Sequence, residues 1–444
     1  MTGFKFEHPT RLFAAAAEHH RAGRLAEAIA GYRRGLALRP DDAAARTALG
    51  IALQATAAHD EAVAQLRRAV AADPRSYDAH YNLGVVLDRQ RRHAEAIDSY
   101  RAALAIDPRA AAAWINLGLL LKESRPAEAI DCFRRAVAAG PDRTPAPVRA
   151  SAYANLGNAL FDAGERDEAL AALRDAVRLA PSAARFHVIL GQKLQATGDL
   201  AGAEAALRHA LALAPGQVDA LALLPMVLHQ QGRRDEAAAL LDYERLLRVR
   251  AVDRIDGWPD LAAFNAALVA YIHAHPTLQR DPPGRATQVG SQTLELFRDN
   301  DAPMAALRGT IAAAVAEYMT SVVAAAPQAF PPRPRQWGMT GWAVVLRSGG
   351  FQTAHYHPGG LISGVYYAQV PAAVAEGSGQ AGHIRFGEGL SELCQVPPDL
   401  QVTRSLKPRE GLLVLFPSFY WHRTVPFTSD TDRICVAFDV LAAD

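Results

Sequence analysis

Apolar and polar positions change character along the chain, and the change divides it. Through roughly the first 250 residues Ala and Leu are interleaved with Arg, Glu and Asp, with almost no β-branched runs, which is helical vocabulary. The last hundred residues or so set Val, Ile, Phe, Tyr and Trp in short blocks between Gly and Pro, the vocabulary of strands and turns. Between the two, Leu261 to His273 and Pro303 to Val322 read as amphipathic helices, separated by a Pro/Gly-rich link at Arg280 to Arg285. A chain of 444 residues is also too long for one hydrophobic core.

The helical part repeats. Proline stands at Pro40, Pro74, Pro108, Pro141, Pro181 and Pro215, spaced by 34 wherever nothing is inserted or deleted. Aligning on these prolines brings Gly50, Gly84, Gly118, Gly157 and Gly191 into one column and Ala28, Ala62, Ala96, Ala129, Ala169, Ala203 and Ala237 into another. Small residues there let two antiparallel helices approach closely, and proline ends the second before the next unit starts. The fourth unit is one residue short near Ser124-Arg125-Pro126 and is followed by an extra stretch, Asp142 to Val148; the seventh departs with Pro225 in the glycine column and Glu244 where a small residue is expected, and reads as a capping or transition repeat.

This arrangement resembles the tetratricopeptide repeat (TPR) family, over about seven units from Pro9 to about Arg250. The resemblance implies a superhelix whose inner groove is lined by the first helix of each unit and holds an extended peptide. Asn82, Asn116 and Asn155 occupy one position of three consecutive units, each in the string Asn-Leu-Gly. In peptide-binding TPR superhelices matching asparagines form a ladder, since one carboxamide can donate to a peptide carbonyl and accept from a peptide N–H. The other reading is that Asn merely fits the repeat consensus.

In the second part, strands are predicted at Gly341 to Arg347, Ser363 to Gln369, His383 to Phe386, Gly411 to Phe416 and Arg433 to Leu441. Short strands at this spacing predict a jelly-roll, or double-stranded β-helix. Histidines fall at its strand ends: His355-Tyr-His-Pro358, then His422 after Leu412-Leu-Val-Leu-Phe416, with Arg433 eleven residues further on. The expected fold class is therefore multidomain α + β: an all-α solenoid over residues 1–250, a helical support subdomain over 251–335, and a double-stranded β-helix over 336–444.

A close pair of ligands, a distant histidine and then a basic residue resembles the 2-oxoglutarate/Fe(II) dioxygenases. More narrowly, Trp342 to Gly350, His355-Tyr-His-Pro358, Ile362-Ser-Gly-Val-Tyr-Tyr367, Gly411 to Ser418 with His422, and Arg433 to Phe438 are similar to a 2OG-Fe(II) oxygenase family with the His-x-His-Pro and Ser-Gly-Val-Tyr-Tyr signature, over roughly Asp253 to Val440. The resemblance implies Fe(II) as metal, with 2-oxoglutarate and O2 as cosubstrates. It implies His355, His357 and His422 as ligands and Arg433 on the distal carboxylate of 2-oxoglutarate, which a guanidinium grips bidentately. Tyr366, or Tyr367, is a candidate donor to the cosubstrate; Cys435 stands where relatives often carry Ser or Thr. Trp421 is expected to shield the metal, and His383 and Glu388 to lie in a solvated loop.

One departure from the usual His-x-Asp…His set matters: the residue two after His355 is His357, so the motif supplies no carboxylate. Three arrangements stay open: three histidine ligands; two histidines and an extra water; or His357 as the proximal ligand with Gly359 leaving an open position.

Charge narrows the partners. Acidic and basic residues number 46 and 47, with no polybasic run interleaved with aromatics, so nucleic acid is not expected. No segment approaches a membrane span and the N-terminus has no signal-like apolar core, so a cytoplasmic protein without membrane contact is expected. Cys132, Cys394 and Cys435 show no CxxC spacing, which argues against a disulfide framework or a zinc site. By analogy with TPR-fused hydroxylases, the expected activity is hydroxylation of a protein or peptide side chain held in the groove. The alternatives are an interaction scaffold whose oxygenase-like domain has lost catalysis, and a small-molecule oxygenase whose repeats serve assembly.

Overall fold

The computed structural model describes residues 8–140, 142, 144–330, 334–389 and 396–443; Pro141, Pro331 to Arg333 and Cys394 lie outside them. The chain divides into two compact units, residues 1–181 and 182–444.

The first unit consists of paired helices from Pro9–Arg21 to Arg166–Leu179. Their pairing follows from the two columns of small residues. A Cβ on Gly84 would stand 2.7 Å from Tyr100 Cε1, and one on Gly118 would stand 2.6 Å from Phe133 Cε1, so each glycine is the notch into which the partner helix inserts a ring. In the other column Ala28, Ala62, Ala96, Ala129 and Ala169 are all fully buried. Successive pairs are tied on the exposed side by ion pairs that recur with the repeat: Arg33–Glu61, Arg67–Glu95, Arg101–Glu128 and Arg134–Glu168. Each is worth well under about 1 kcal/mol, so burial holds the pairs together.

In the second unit the repeat continues through Ala184–Ala196, Leu200–Leu213, Val218–Gln230 and Arg234–Leu241. Leu221, Ala222, Met226 and Leu241 of the last two helices belong to the same hydrophobic core as the strands that follow. Pro225, in the glycine column, sits inside a helix whose residues Ala220 to His229 are all buried. The last helix pair is thus built into the β domain.

Among the described residues ten strands follow: β1 Arg248–Ala251, β2 Gln279–Arg280, β3 Thr287–Gln292, β4 Trp337–Gln352, β5 Ile362–Gln369, β6 Ile384–Phe386, β7 Arg404–Leu406, β8 Leu412–Pro417, β9 His422–Thr424 and β10 Arg433–Ala442. They form two antiparallel sheets, β1-β8-β5-β10-β4-β3-β2 and β7-β6-β9. The sheets face each other, as the 4.9 Å between the Phe416 (β8) and Phe386 (β6) rings shows. The larger sheet turns its other face to the helices Leu261–Ala274 and Ala302–Tyr318. Being covered on both sides, β5 and β8 are buried almost end to end and do not alternate. Gly364 serves the covered face: a Cβ there would lie 2.2 Å from Phe438 Cζ on the neighbouring strand. The expected helices and strands are present, but β1, β2 and β3 arise in residues read as solenoid or helical support. They are short and carry no period-2 apolar pattern, so only pairing makes them strands, β1 with β8, β3 with β4 and β2 with β3.

Two outcomes follow. Gly84→Ala, a substitution that stabilises an open helix, should here destabilise by about 1–3 kcal/mol because Tyr100 cannot retreat. Gly309→Ala, in a helix with nothing within 4 Å of the added Cβ, should stabilise by about 0.5–1 kcal/mol. Urea titrations read both, and a stabilised Gly84→Ala would refute the packing account. Second, His229 Nε2 accepts the N–H of Val402 at 3.1 Å, while burial and then the Arg234 charge push its pKa from 6.5 down to about 4. The unfolded chain takes up this proton near pH 6.5 and the folded chain only near 4. The stabilisation is therefore complete above pH 6.5 and lost as pH falls towards 4. Melting at about pH 7.5 and about pH 5 should show a smaller loss for His229→Gln, which accepts the same bond without titrating.

Candidate metal centre

His355 and His422 meet across an antiparallel bridge, each donating its backbone N–H to the other's carbonyl at 3.0 and 2.8 Å, which adds the His355 segment to the edge of the smaller sheet beside β9. His357 is held two residues on by its own N–H to Ser418 O at 2.9 Å. The rings come together, with centroids 4.3 Å apart for His355–His422, 5.1 Å for His357–His422 and 5.2 Å for His355–His357. Ligand nitrogens of the three lie within 4.8 Å of one another.

The Nδ1 atoms decide which nitrogens are available. His355 Nδ1 faces Thr353 O at 2.8 Å, His422 Nδ1 faces Tyr420 O at 2.9 Å, and His357 Nδ1 faces Asp439 Oδ1 at 2.5 Å. A carbonyl or a carboxylate only accepts, so each Nδ1 carries a proton, and a neutral ring then keeps its lone pair on Nε2. Burial, and next the neighbouring His357, pushes the His355 pKa down to about 4; burial drives that of His422 well below its usual range. Both are neutral near pH 7 and can bind a metal without first losing a proton. Three imidazole nitrogens suit a first-row divalent ion.

Arg433 opens β10 and is 1% exposed. Its Nη2 donates to Tyr367 Oη at 3.2 Å and its guanidinium lies 4.8 Å from the centroid of that ring. Among the described residues Nε and Nη1 are buried without a hydrogen-bond partner. A buried cation with idle donors is costly unless an anion completes it, so the chemistry of this spot fits a carboxylate ligand. Cys435 lies beside it on the same face of β10; burial raises its pKa against the pull of Arg433, and it remains a thiol.

Tyr366 points the other way. Its hydroxyl donates to Asn265 Oδ1 at 2.7 Å on the helical face of the sheet, and alternation along β5 leaves Tyr367 facing Arg433. Trp421 is turned into structure: its Nε1 donates to Ala222 O at 3.0 Å, and its ring meets Tyr356 at 4.8 Å. Tyr356 itself donates to Asp219 Oδ1 at 2.8 Å. The residues next to the histidines thus anchor on the helix Val218–Gln230. Glu388, expected in solvent, is 5% exposed and paired with Arg385 and Arg423, while His383 Nδ1 lies 3.0 Å from Ser405 Oγ. A cleft of about 370 Å³ opens over His355 and His357, walled by Trp342, Gln292, Gln352 and Arg285.

The three asparagines are half-buried on the first helices of their pairs. Asn82 Nδ2 donates to Asp78 O of its own helix at 2.8 Å, and Asn116 Nδ2 lies 3.4 Å from both Tyr81 Oη and Tyr100 Oη. Asn155 stands inside the helix Ala146–Asp162. Asp439 went unnoticed in sequence; its one signal was that it shares the strand phase of Arg433 and Cys435.

Residues 340–439 match the family model described as "Putative 2OG-Fe(II) oxygenase". Tetratricopeptide repeat models match residues 47–111, 109–182 and 154–218. No relative among curated proteins matches the chain. Similar solved structures include MamA protein (24% identity, 40% of this chain and 94% of that one, TM-score 0.35). Others are PilF of Pseudomonas aeruginosa (25%, 47% and 92%, 0.41) and YrrB, described as a TPR protein with an unusual peptide-binding site (23%, 40% and 89%, 0.34). These scores are too low for any function to be read across. Among the described residues no helix is long and apolar enough to cross a membrane. The chain joins tetratricopeptide repeats to a domain of the 2OG-Fe(II) oxygenase family over residues 340–439.

Proposed function

We propose that the protein is a 2-oxoglutarate- and Fe(II)-dependent oxygenase that hydroxylates a protein or peptide side chain, recruited by its TPR helices. The observation that carries this reading is the pairing of two incomplete sites in one β domain: three imidazole lone pairs turned towards one another, and a buried guanidinium with two idle donors. Fe(II) would be held by Nε2 of His355, His357 and His422, with Arg433 on the distal carboxylate of 2-oxoglutarate. Of the three ligand arrangements left open by the sequence, this favours three histidines. When bound, iron and 2-oxoglutarate supply the activation of O2 and the oxidising power for hydroxylation.

The protein's own contribution is positioning and exclusion of water. Thr353 O, Tyr420 O and Asp439 hold the three rings by their Nδ1–H groups, so the ligand nitrogens are oriented before a metal arrives. Tyr367 holds Arg433 through its hydroxyl and its ring face. The cleft over His355 and His357 leaves room for a side chain. In the repeats Asn82, Asn116 and Asn155, with Tyr81 beside Asn116, would take the backbone of the substrate.

Anaerobic titration of the purified protein with Fe(II) and 2-oxoglutarate should produce a weak visible charge-transfer band that His422→Ala and Arg433→Met both abolish. No band and no retained iron in the wild type would leave the TPR helices as the function. Arg433→Met should also raise the stability of the metal-free protein, by about 1–3 kcal/mol, because it removes an uncompensated buried charge. A melting temperature that falls in that variant would mean that Arg433 is paired within the protein and not reserved for a ligand.

A further inference from the structure

Ser363, Ser418 and Asp439 belong to stretches whose strands the ligand set explains but whose polar residues it does not. The fold brings them to one point behind His357. Ser363 and Asp439 are cross-strand partners on β5 and β10. Ser363 Oγ donates to Asp439 Oδ1 at 2.6 Å and lies 2.9 Å from Ser418 Oγ. The same Asp439 Oδ1 accepts from His357 Nδ1 at 2.5 Å. Both serines are 1% exposed, and among the described residues their hydroxyls bond with one another, Asp439 and His357. Gly360 makes room for the group: a Cβ there would stand 2.4 Å from Ser418 Oγ.

We infer that Asp439 is the carboxylate of this centre, placed one shell out: a positioning residue that fixes the Nδ1–H form of His357 and lends its negative charge to the metal through that ring, with Ser363 and Ser418 holding it in place. The inference rests on the metal-centre reading above. A His-x-Asp…His set puts the acid on the ion; here that position is His357, and the acid stands behind it. Three neutral imidazoles leave the ion's double charge uncompensated in a buried site, and an anion on the far side of one ring offsets part of it. His355 and His422 are backed by backbone carbonyls, so of the three rings His357 alone is backed by an anion.

The test is anaerobic calorimetric titration of the full chain with Fe(II) alone, with Co(II) absorption as a check that the ligand set persists. Asp439→Asn still accepts from His357 and keeps its size. It should bind Fe(II) roughly 10–100-fold more weakly, with the metal-free melting temperature moved by no more than about 2 °C. Ser363→Ala, which loosens the carboxylate without removing it, should show a smaller loss of the same kind. Fe(II) affinity equal to wild type in both variants overturns the role of Asp439 while the metal centre stands, as does a weakened Asp439→Asn whose metal-free melting temperature falls well beyond that margin. Failure of the wild type to bind Fe(II) overturns the metal centre, and the inference with it.

Discussion

Three imidazole nitrogens facing one another are stable only while none of them carries a proton, and the β domain is arranged around meeting that condition. Each ring must give its one N–H outward, to a group that can only accept. The three acceptors come from Thr353 just before the pair, from Tyr420 in the turn ahead of β9, and from Asp439 on β10. Burial then keeps His355 and His422 neutral, since a charged imidazolium there would lose its hydration.

The second requirement is rigidity. Short bridges and turns such as those carrying His355, His357 and His422 are ordinarily the mobile parts of a β domain. Here Tyr356 and Trp421, each adjacent to one of the three histidines, are fastened to Asp219 and Ala222 on the helix Val218–Gln230. That explains why the seventh repeat departs from its pattern. Its first helix is buried from Ala220 to His229 because it packs into the core of the β domain.

Arg433 represents the opposite choice. Among the described residues two of its donors are left idle in the interior, a state that costs stability unless an anion completes it. Tyr367 moderates the cost through its hydroxyl and its ring face.

What the sequence by itself determined was what depends on near neighbours or on order. The glycine of each repeat and the ring or branched side chain that fills it stand about 16 residues apart, as Gly84 and Tyr100 do, so a period of 34 was enough to predict the helix pairs. The succession His355, His357, His422, Arg433 was legible for the same reason: strand ends follow the chain. The tertiary structure decided what alternation and distance conceal. Tyr366 and Tyr367 are equivalent on paper, and only the register of β5 with β10 turns the second towards Arg433. Asp439 is 82 residues from His357, Asp219 is 137 from Tyr356 and Ala222 is 199 from Trp421. Contacts that close loops of such length leave no periodic trace in the chain, because they are specified by the packing of whole elements and not by the spacing of residues within one.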